Sequence, residues 1–335
     1  MQAPLKNLSY SFGLGVVFMT GLTYLFPGQG SQKIGMGQDL YVRSSAKAVF
    51  EKANSVLNFP LTKLMFEGPK EELQKTCYAQ PAILTHSIAM WHCLLEEATP
   101  NATFFAGHSL GEYSALVAAG SLSFEDAIQA VHFRGKAMQD AVPLGRGSMA
   151  VVLGLAEDKI HEICQEISRQ DPRFEVSIAN LNGPGQTVIS GTVEGIAQAN
   201  LCLKDAGAKR LMPLPVSAPF HCNLMKPAQD KLAQHLNTIQ FLSPQKPLIS
   251  NVTAQPVTDP LLIRDLLIAQ VTKPVRFTEM VEFLQKKEIN IFVEVGPGKA
   301  LVGIVKRMID NVEIHSMEDL VSLNNFSSAI KASVR

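Results

Sequence analysis

The stretch Gly107-His108-Ser109-Leu110-Gly111-Glu112-Tyr113 decides how the chain is read. Ahead of it lies the apolar run Thr103-Phe104-Phe105-Ala106, which the pattern makes a buried strand. Behind it comes Ser114-Ala115-Leu116-Val117-Ala118-Ala119, an alanine-rich helix with Gly120 placed as its left-handed terminating residue. Strand, Gly-x-Ser-x-Gly, helix is the signature of a nucleophile elbow. Its glycines allow a turn too tight for a Cβ, and its serine stands at a helix N-terminus, where backbone N–H groups favour negative charge. The competing reading makes Ser109 a plain helix cap.

Working outward, the elements around the elbow alternate. Leu22–Phe26 reads as a first buried strand, running into the glycine-rich turn Gly28-Gln29-Gly30. Helical patterns cover 42–57 and 81–97, with Pro81 placed in the first turn of the second and Trp91 in the core. Ser123-Phe124-Glu125-Asp126 opens a helix that runs to about Asp140 and carries Arg134. After a Pro/Gly linker the order over residues 147–214 is β-α-β-β-α-β, a ferredoxin-like unit. The chain then returns to alternating helices and strands: helices at 222–238, 261–270, 277–287 and 299–309, and strands at 247–252, 290–295 and 312–316. The expected fold class is α/β: a core at 19–146 and 215–318 around the inserted subdomain, an extension at 1–18 and a tail at 319–335. Met19 reads as an alternative start.

Composition narrows the function. The chain has 335 residues, 46% hydrophobic and 18% charged, with Lys+Arg and Asp+Glu equal at 30 each. That balance gives no electrostatic case for nucleic acid or an anionic membrane. The apolar stretch 12–26 is too broken by Gly and Thr to span a membrane, and it lacks a small-residue cleavage site. Five cysteines without a Cys-x-x-Cys suggest reduced thiols and a cytoplasmic protein. No His/Cys/Asp/Glu spacing suits a metal, and neither Gly28-Gln29-Gly30 nor Gly296-Pro297-Gly298-Lys299 completes a nucleotide motif, so no cofactor is expected. The Gly296 turn opens a helix and reads either as an anion cradle or as an ordinary turn.

A serine nucleophile needs a base. Of eight histidines, His221 alone sits in an irregular proline-containing loop, Val216-Ser217-Ala218-Pro219-Phe220-His221-Cys222. His86, His92, His132, His161 and His235 fall in helical patterns, His108 lies beside Ser109, and His315 lies in a late strand. Arg134, next to the apolar stripe of its helix, is either a snorkelling residue at the core edge or a carboxylate ligand.

These residues belong to a larger ordered set: Phe26-Pro27-Gly28-Gln29-Gly30-Ser31-Gln32, the elbow, Phe133-Arg134-Gly135-Lys136-Ala137-Met138, Asn182-Gly183-Pro184-Gly185-Gln186, Ala218-Pro219-Phe220-His221-Cys222 and Glu294-Val295-Gly296-Pro297-Gly298. In order and spacing the set resembles the malonyl-CoA:acyl-carrier-protein transacylases, from about Thr23 to about Ile309. The resemblance implies an α/β-hydrolase-like core with a parallel sheet, plus an inserted ferredoxin-like small subdomain. It implies Ser109 as nucleophile and His221 as general acid/base, the latter oriented by the main-chain carbonyl of Gln270. It implies an oxyanion hole of the Gln29 and Leu110 amides, Arg134 as ligand of the malonyl carboxylate, and Met138 and Phe220 lining the acyl pocket. The resemblance also implies that a bulky residue at Phe220 disfavours an α-methyl on the acyl group. The implied partners are malonyl-CoA and a holo acyl carrier protein, and the implied state is a monomer. An acidic carrier makes Lys204, Lys209, Arg210, Lys299, Lys306 and Arg307 candidate docking residues. Two other readings stay open: an acyltransferase serving a polyketide assembly line, and a carrier-protein acyl hydrolase of the same fold.

Overall fold

The computed structural model describes residues 9–11, 16–18, 21–98, 101–216 and 218–333. Met19 and most of the 1–18 extension lie outside them; Ser9–Ser11 and Val16–Phe18 pair antiparallel.

The core is a six-stranded sheet. From one edge to the other its strands are Pro256–Val257, Leu248–Ile249, Phe104–Gly107, Leu22–Phe26, Ile291–Val295 and Glu313–Met317. All neighbours are parallel except the first pair. Leu22–Phe26 and Ile291–Val295 are adjacent interior strands and almost wholly buried, as expected of strands covered on both faces. The apolar core is pinned by an aromatic cluster: Trp91 meets Tyr24 edge-on at 4.9 Å and Phe105 at 5.5 Å.

The elbow strand ends at Gly107, and the next helix starts at Gly111 and ends at Ala118, with Gly120 at φ 74°. Both elbow glycines are needed for close approach. A Cβ on Gly107 would lie 2.0 Å from the Gly111 carbonyl carbon, and one on Gly111 would lie 2.0 Å from the Phe26 oxygen.

The long helix Thr76–Glu97 begins five residues before the sequence pattern placed it, so Pro81 lies in its interior rather than in its first turn. Proline has no N–H to give the Cys77 carbonyl. Nδ1 of His132, on the helix Phe124–Asp140, supplies the missing donor at 2.9 Å. The two helices can approach this closely because the residue facing Thr76 and Cys77 is Gly135, where a Cβ would meet the Thr76 oxygen at 2.7 Å.

Strands Gly147–Leu153, Val176–Gly183, Gln186–Thr192 and Arg210–Pro213 form a separate four-stranded antiparallel sheet. Helices Glu157–Gln170 and Val193–Asp205 connect them, giving the β-α-β-β-α-β order expected from the sequence. This sheet is fastened to the core through the loop before the helix Phe277–Lys286. Val275 N–H donates to the Ala179 carbonyl and Leu181 N–H to the Val275 carbonyl, both at 2.9 Å.

Three further helices, Leu61–Glu67, Lys70–Gln74 and Leu320–Ser333, are not evident in the sequence pattern. The last covers residues read as a tail; its Leu323 and Phe326 are buried in the core. No helix among the described residues is long and apolar enough to cross a membrane.

Candidate active site

The loops at the C-terminal ends of the central strands, where ligands bind in open α/β sheets, frame a cleft of about 280 Å³. Gln29, Ser109, Arg134, Met138, Phe220 and His221 all line it, so residues spread over nearly two hundred positions of sequence meet at one place. Leu110 lies beneath, fully buried, next to Ser109.

Ser109 is held at φ 52°, a left-handed conformation that costs a non-glycine residue about 1–3 kcal/mol. It does not cap the following helix, which has no side-chain cap. Instead its Oγ lies 2.8 Å from Nε2 of His221. The other ring nitrogen, Nδ1, lies 2.8 Å from the main-chain oxygen of Gln270. A carbonyl can only accept, so Nδ1 carries the hydrogen and Nε2 presents its lone pair to the serine hydroxyl. His221 is itself at φ 59° and buried. Burial first, and the nearby Arg134 charge second, push its pKa down to about 3, so the ring is neutral at physiological pH.

Arg134 is only 1% exposed. Its Nη1 donates to Oε1 of Gln80 at 2.9 Å; its Nη2 donates to Oε1 of Gln270 at 2.7 Å and to Oγ of Ser109 at 3.1 Å. Its Nε has no partner among the described residues. Among the described residues no carboxylate lies within ion-pair distance of this guanidinium. A buried cation whose protein partners are all neutral is a site prepared for an anion.

Several groups that complete the site carry no signal in the linear pattern. Asn251 clasps the elbow from below: its Oδ1 accepts from the Ser109 N–H at 2.6 Å and its Nδ2 donates to the Gly107 carbonyl at 2.7 Å. The nearest sequence cue is its position, just past the short apolar strand Leu248–Ile249 at the catalytic edge of a parallel sheet. The Gln270 side chain acts as well as its backbone, as does Glu112, a carboxyl 2% exposed whose pKa burial pushes up to about 7. His108 reaches across to the antiparallel sheet, with Nε2 at 2.8 Å from Oδ1 of Asn182.

The Gln29 and Leu110 amides, expected to form an oxyanion hole, donate to no protein acceptor among the described residues. The Gly296 turn is not free to cradle an anion. Gly298 N–H is taken by Glu318 and Val302 N–H by the buried Glu294. The six basic residues suggested for carrier docking are all exposed. No group of three or more His, Cys, Asp or Glu able to hold a metal occurs among the described residues.

Fold and site together define an acyl transferase, and a family model described as acyl transferase domain matches residues 23–325. The malonyl CoA-acyl carrier protein transacylase of Salmonella typhimurium LT2 is 43% identical over 307 residues, covering 91% of this chain and 98% of the relative. That of Bacillus subtilis 168 is 46% identical over 303 residues, covering 90% of this chain and 94% of the relative. Among solved structures, an acyl carrier protein S-malonyltransferase from Vibrio cholerae superposes with a TM-score of 0.88 at 43% identity, covering 91% and 99% of the two chains. A malonyl-transacylase in complex with its holo type II polyketide acyl-carrier protein gives 0.89 at 42% identity, covering 92% and 99%. The chain belongs to the malonyl CoA-acyl carrier protein transacylase family of acyl transferases.

Proposed function

We propose that this protein transfers a malonyl group from malonyl-CoA to the phosphopantetheine thiol of an acyl carrier protein, for fatty-acid synthesis, through a malonyl ester on Ser109. One observation carries the reading: a buried guanidinium with no carboxylate partner among the described residues donates to the same serine oxygen that a neutral histidine is set to deprotonate.

The chemistry follows from the geometry. Oγ of Ser109 attacks the thioester carbonyl carbon while its proton passes to Nε2 of His221. The developing oxyanion is met by the Gln29 and Leu110 amides. The imidazolium, buried beside a guanidinium, is a strong acid and returns its proton to the departing CoA sulfur as the C–S bond breaks. In the second half the carrier's thiol gives its proton to His221 and attacks the ester carbonyl. Collapse re-forms the thioester, and the proton goes back to Oγ, a ping-pong cycle.

Arg134 selects the acyl group by pairing with the free carboxylate of malonate. Acetyl-CoA leaves that charge unpaired, a difference of about 2–5 kcal/mol in an enclosed site. The malonyl carboxylate also offsets the positive charge that depresses His221, so the base strengthens when the right substrate is bound. Phe220 and Met138 line the same cleft, and the bulk of Phe220 is proposed to disfavour an α-methyl. The docking surface proposed for the carrier is the set of exposed basic residues Lys204, Lys209, Arg210, Lys299, Lys306 and Arg307. We propose a monomeric, cytoplasmic enzyme in which residues 147–214 form the inserted subdomain.

The test is intact-protein mass spectrometry after brief exposure to malonyl-CoA, with and without holo-carrier. The expected result is a malonyl adduct that persists in buffer and disappears when holo-carrier is added. An adduct lost to water equally fast without carrier would make the protein a hydrolase instead.

A further inference from the structure

Gln270 makes four contacts at the centre of the site. Its main-chain oxygen accepts from His221, and its side-chain Oε1 accepts from Arg134. Its Nε2 donates to the Ser109 carbonyl at 3.0 Å and to Oε2 of Glu112 at 2.7 Å. The same Glu112 oxygen receives the Asn251 N–H at 3.3 Å. Glu112, Gln270 and Arg134 are all within 2% of complete burial, so none of these groups can turn to water instead.

The order of groups along this network is informative. A carboxyl group and a guanidinium lie in one buried network, yet a neutral amide stands between them. Direct contact would compensate the arginine but also occupy the donors that a substrate carboxylate needs. The spacer avoids that competition. Glu112 and the Ser109 carbonyl, both acceptors, hold the amide's N–H groups on one side, so its oxygen must face Arg134. That oxygen sets Nη2 beside Oγ of Ser109.

The geometry points to Glu112 as a positioning residue for malonyl selection: by fixing the Gln270 amide it aims Arg134 at the substrate carboxylate without pairing with it. This inference rests on the malonyl-transfer reading above.

The experiment measures kcat and KM with malonyl-CoA and acetyl-CoA for wild type, Glu112→Gln, Glu112→Leu and Gln270→Glu, with holo-carrier as acceptor. Glu112→Gln keeps an acceptor oxygen and is expected to hold the malonyl-to-acetyl ratio within about threefold of wild type. Glu112→Leu removes the acceptor and should lower the ratio by about tenfold or more, mainly through the KM for malonyl-CoA. Gln270→Glu puts a carboxylate directly on Arg134 and should lower the ratio further. An unchanged ratio in Gln270→Glu, or equal losses for both thioesters in Glu112→Leu, overturns the inference. If Glu112→Leu does not fold, Gln270→Glu decides alone. Absence of malonyl transfer by wild type would sink the functional reading itself, which separates the two failures.

Discussion

The two sheets meet at the cleft on different terms. The parallel sheet delivers Ser109 on a turn between a strand and a helix, with its backbone forced to φ 52°. The antiparallel sheet delivers Met149 and Asn180 from within strands, as a wall. His221 comes from the loop that leaves the antiparallel sheet, again at positive φ. The groups proposed to react thus sit where the backbone is strained and individually braced, while the wall sits on regular ladder. A substitution at the first kind of position should change chemistry; one at the second should change fit.

The sharpest way to break that distinction is Ser109→Ala. It should reduce malonyl transfer by about 10⁴-fold or more in a carrier-loading assay, with the circular dichroism melt little changed. A residual rate near wild type would mean the elbow is only a fold device. Next in size, Arg134→Ala should lower kcat/KM for malonyl-CoA by about 10²–10³-fold while leaving acetyl transfer within a few-fold. Equal losses would make the guanidinium a structural brace.

The protonation of His221 gives a third test. An ordinary histidine, with pKa near 6.5, would cut the esterification rate about thirtyfold between about pH 7.5 and about pH 5. With its pKa held down to about 3, His221 of the free enzyme stays neutral, and kcat/KM for acylation by malonyl-CoA should be nearly flat over that range. Stability runs the other way. His221 and the buried His86, whose pKa burial lowers to about 4, bind fewer protons folded than unfolded. Their contribution is complete above the unfolded value and is lost as pH falls from about 6.5 toward the folded values. Urea midpoints that do not fall on acidification would refute this.

The smallest expected effect belongs to the wall. Asn182→Ala removes the acceptor that His108 meets across the gap between the sheets, and should cost about two- to tenfold in kcat/KM, equally for malonyl and acetyl. A selective loss of malonyl transfer would place substrate recognition in the antiparallel sheet as well.

What the sequence made legible follows the same division. Ser109, His221 and the turn glycines stand out because tight turns restrict residue type, and the subdomain shows through its β-α-β-β-α-β rhythm. Arg134 is ambiguous in the sequence, since a buried arginine and a snorkelling one look alike beside an apolar stripe. Gln80, Asn251 and Glu112 act through partners 54, 142 and 158 positions away, a separation no local pattern encodes. Pro81 misled because the donor that excuses it, His132, arrives from another helix.

Malonyl transfer through Ser109 stands or falls on which atom carries the acyl group. Wild-type protein should be quenched in acid seconds after mixing with malonyl-CoA, digested, and sequenced by tandem mass spectrometry. A malonyl mass on Oγ of Ser109, absent from the Ser109→Ala protein, is the predicted result. A malonyl group on another side chain, Cys222 for example, or none at all, would contradict it.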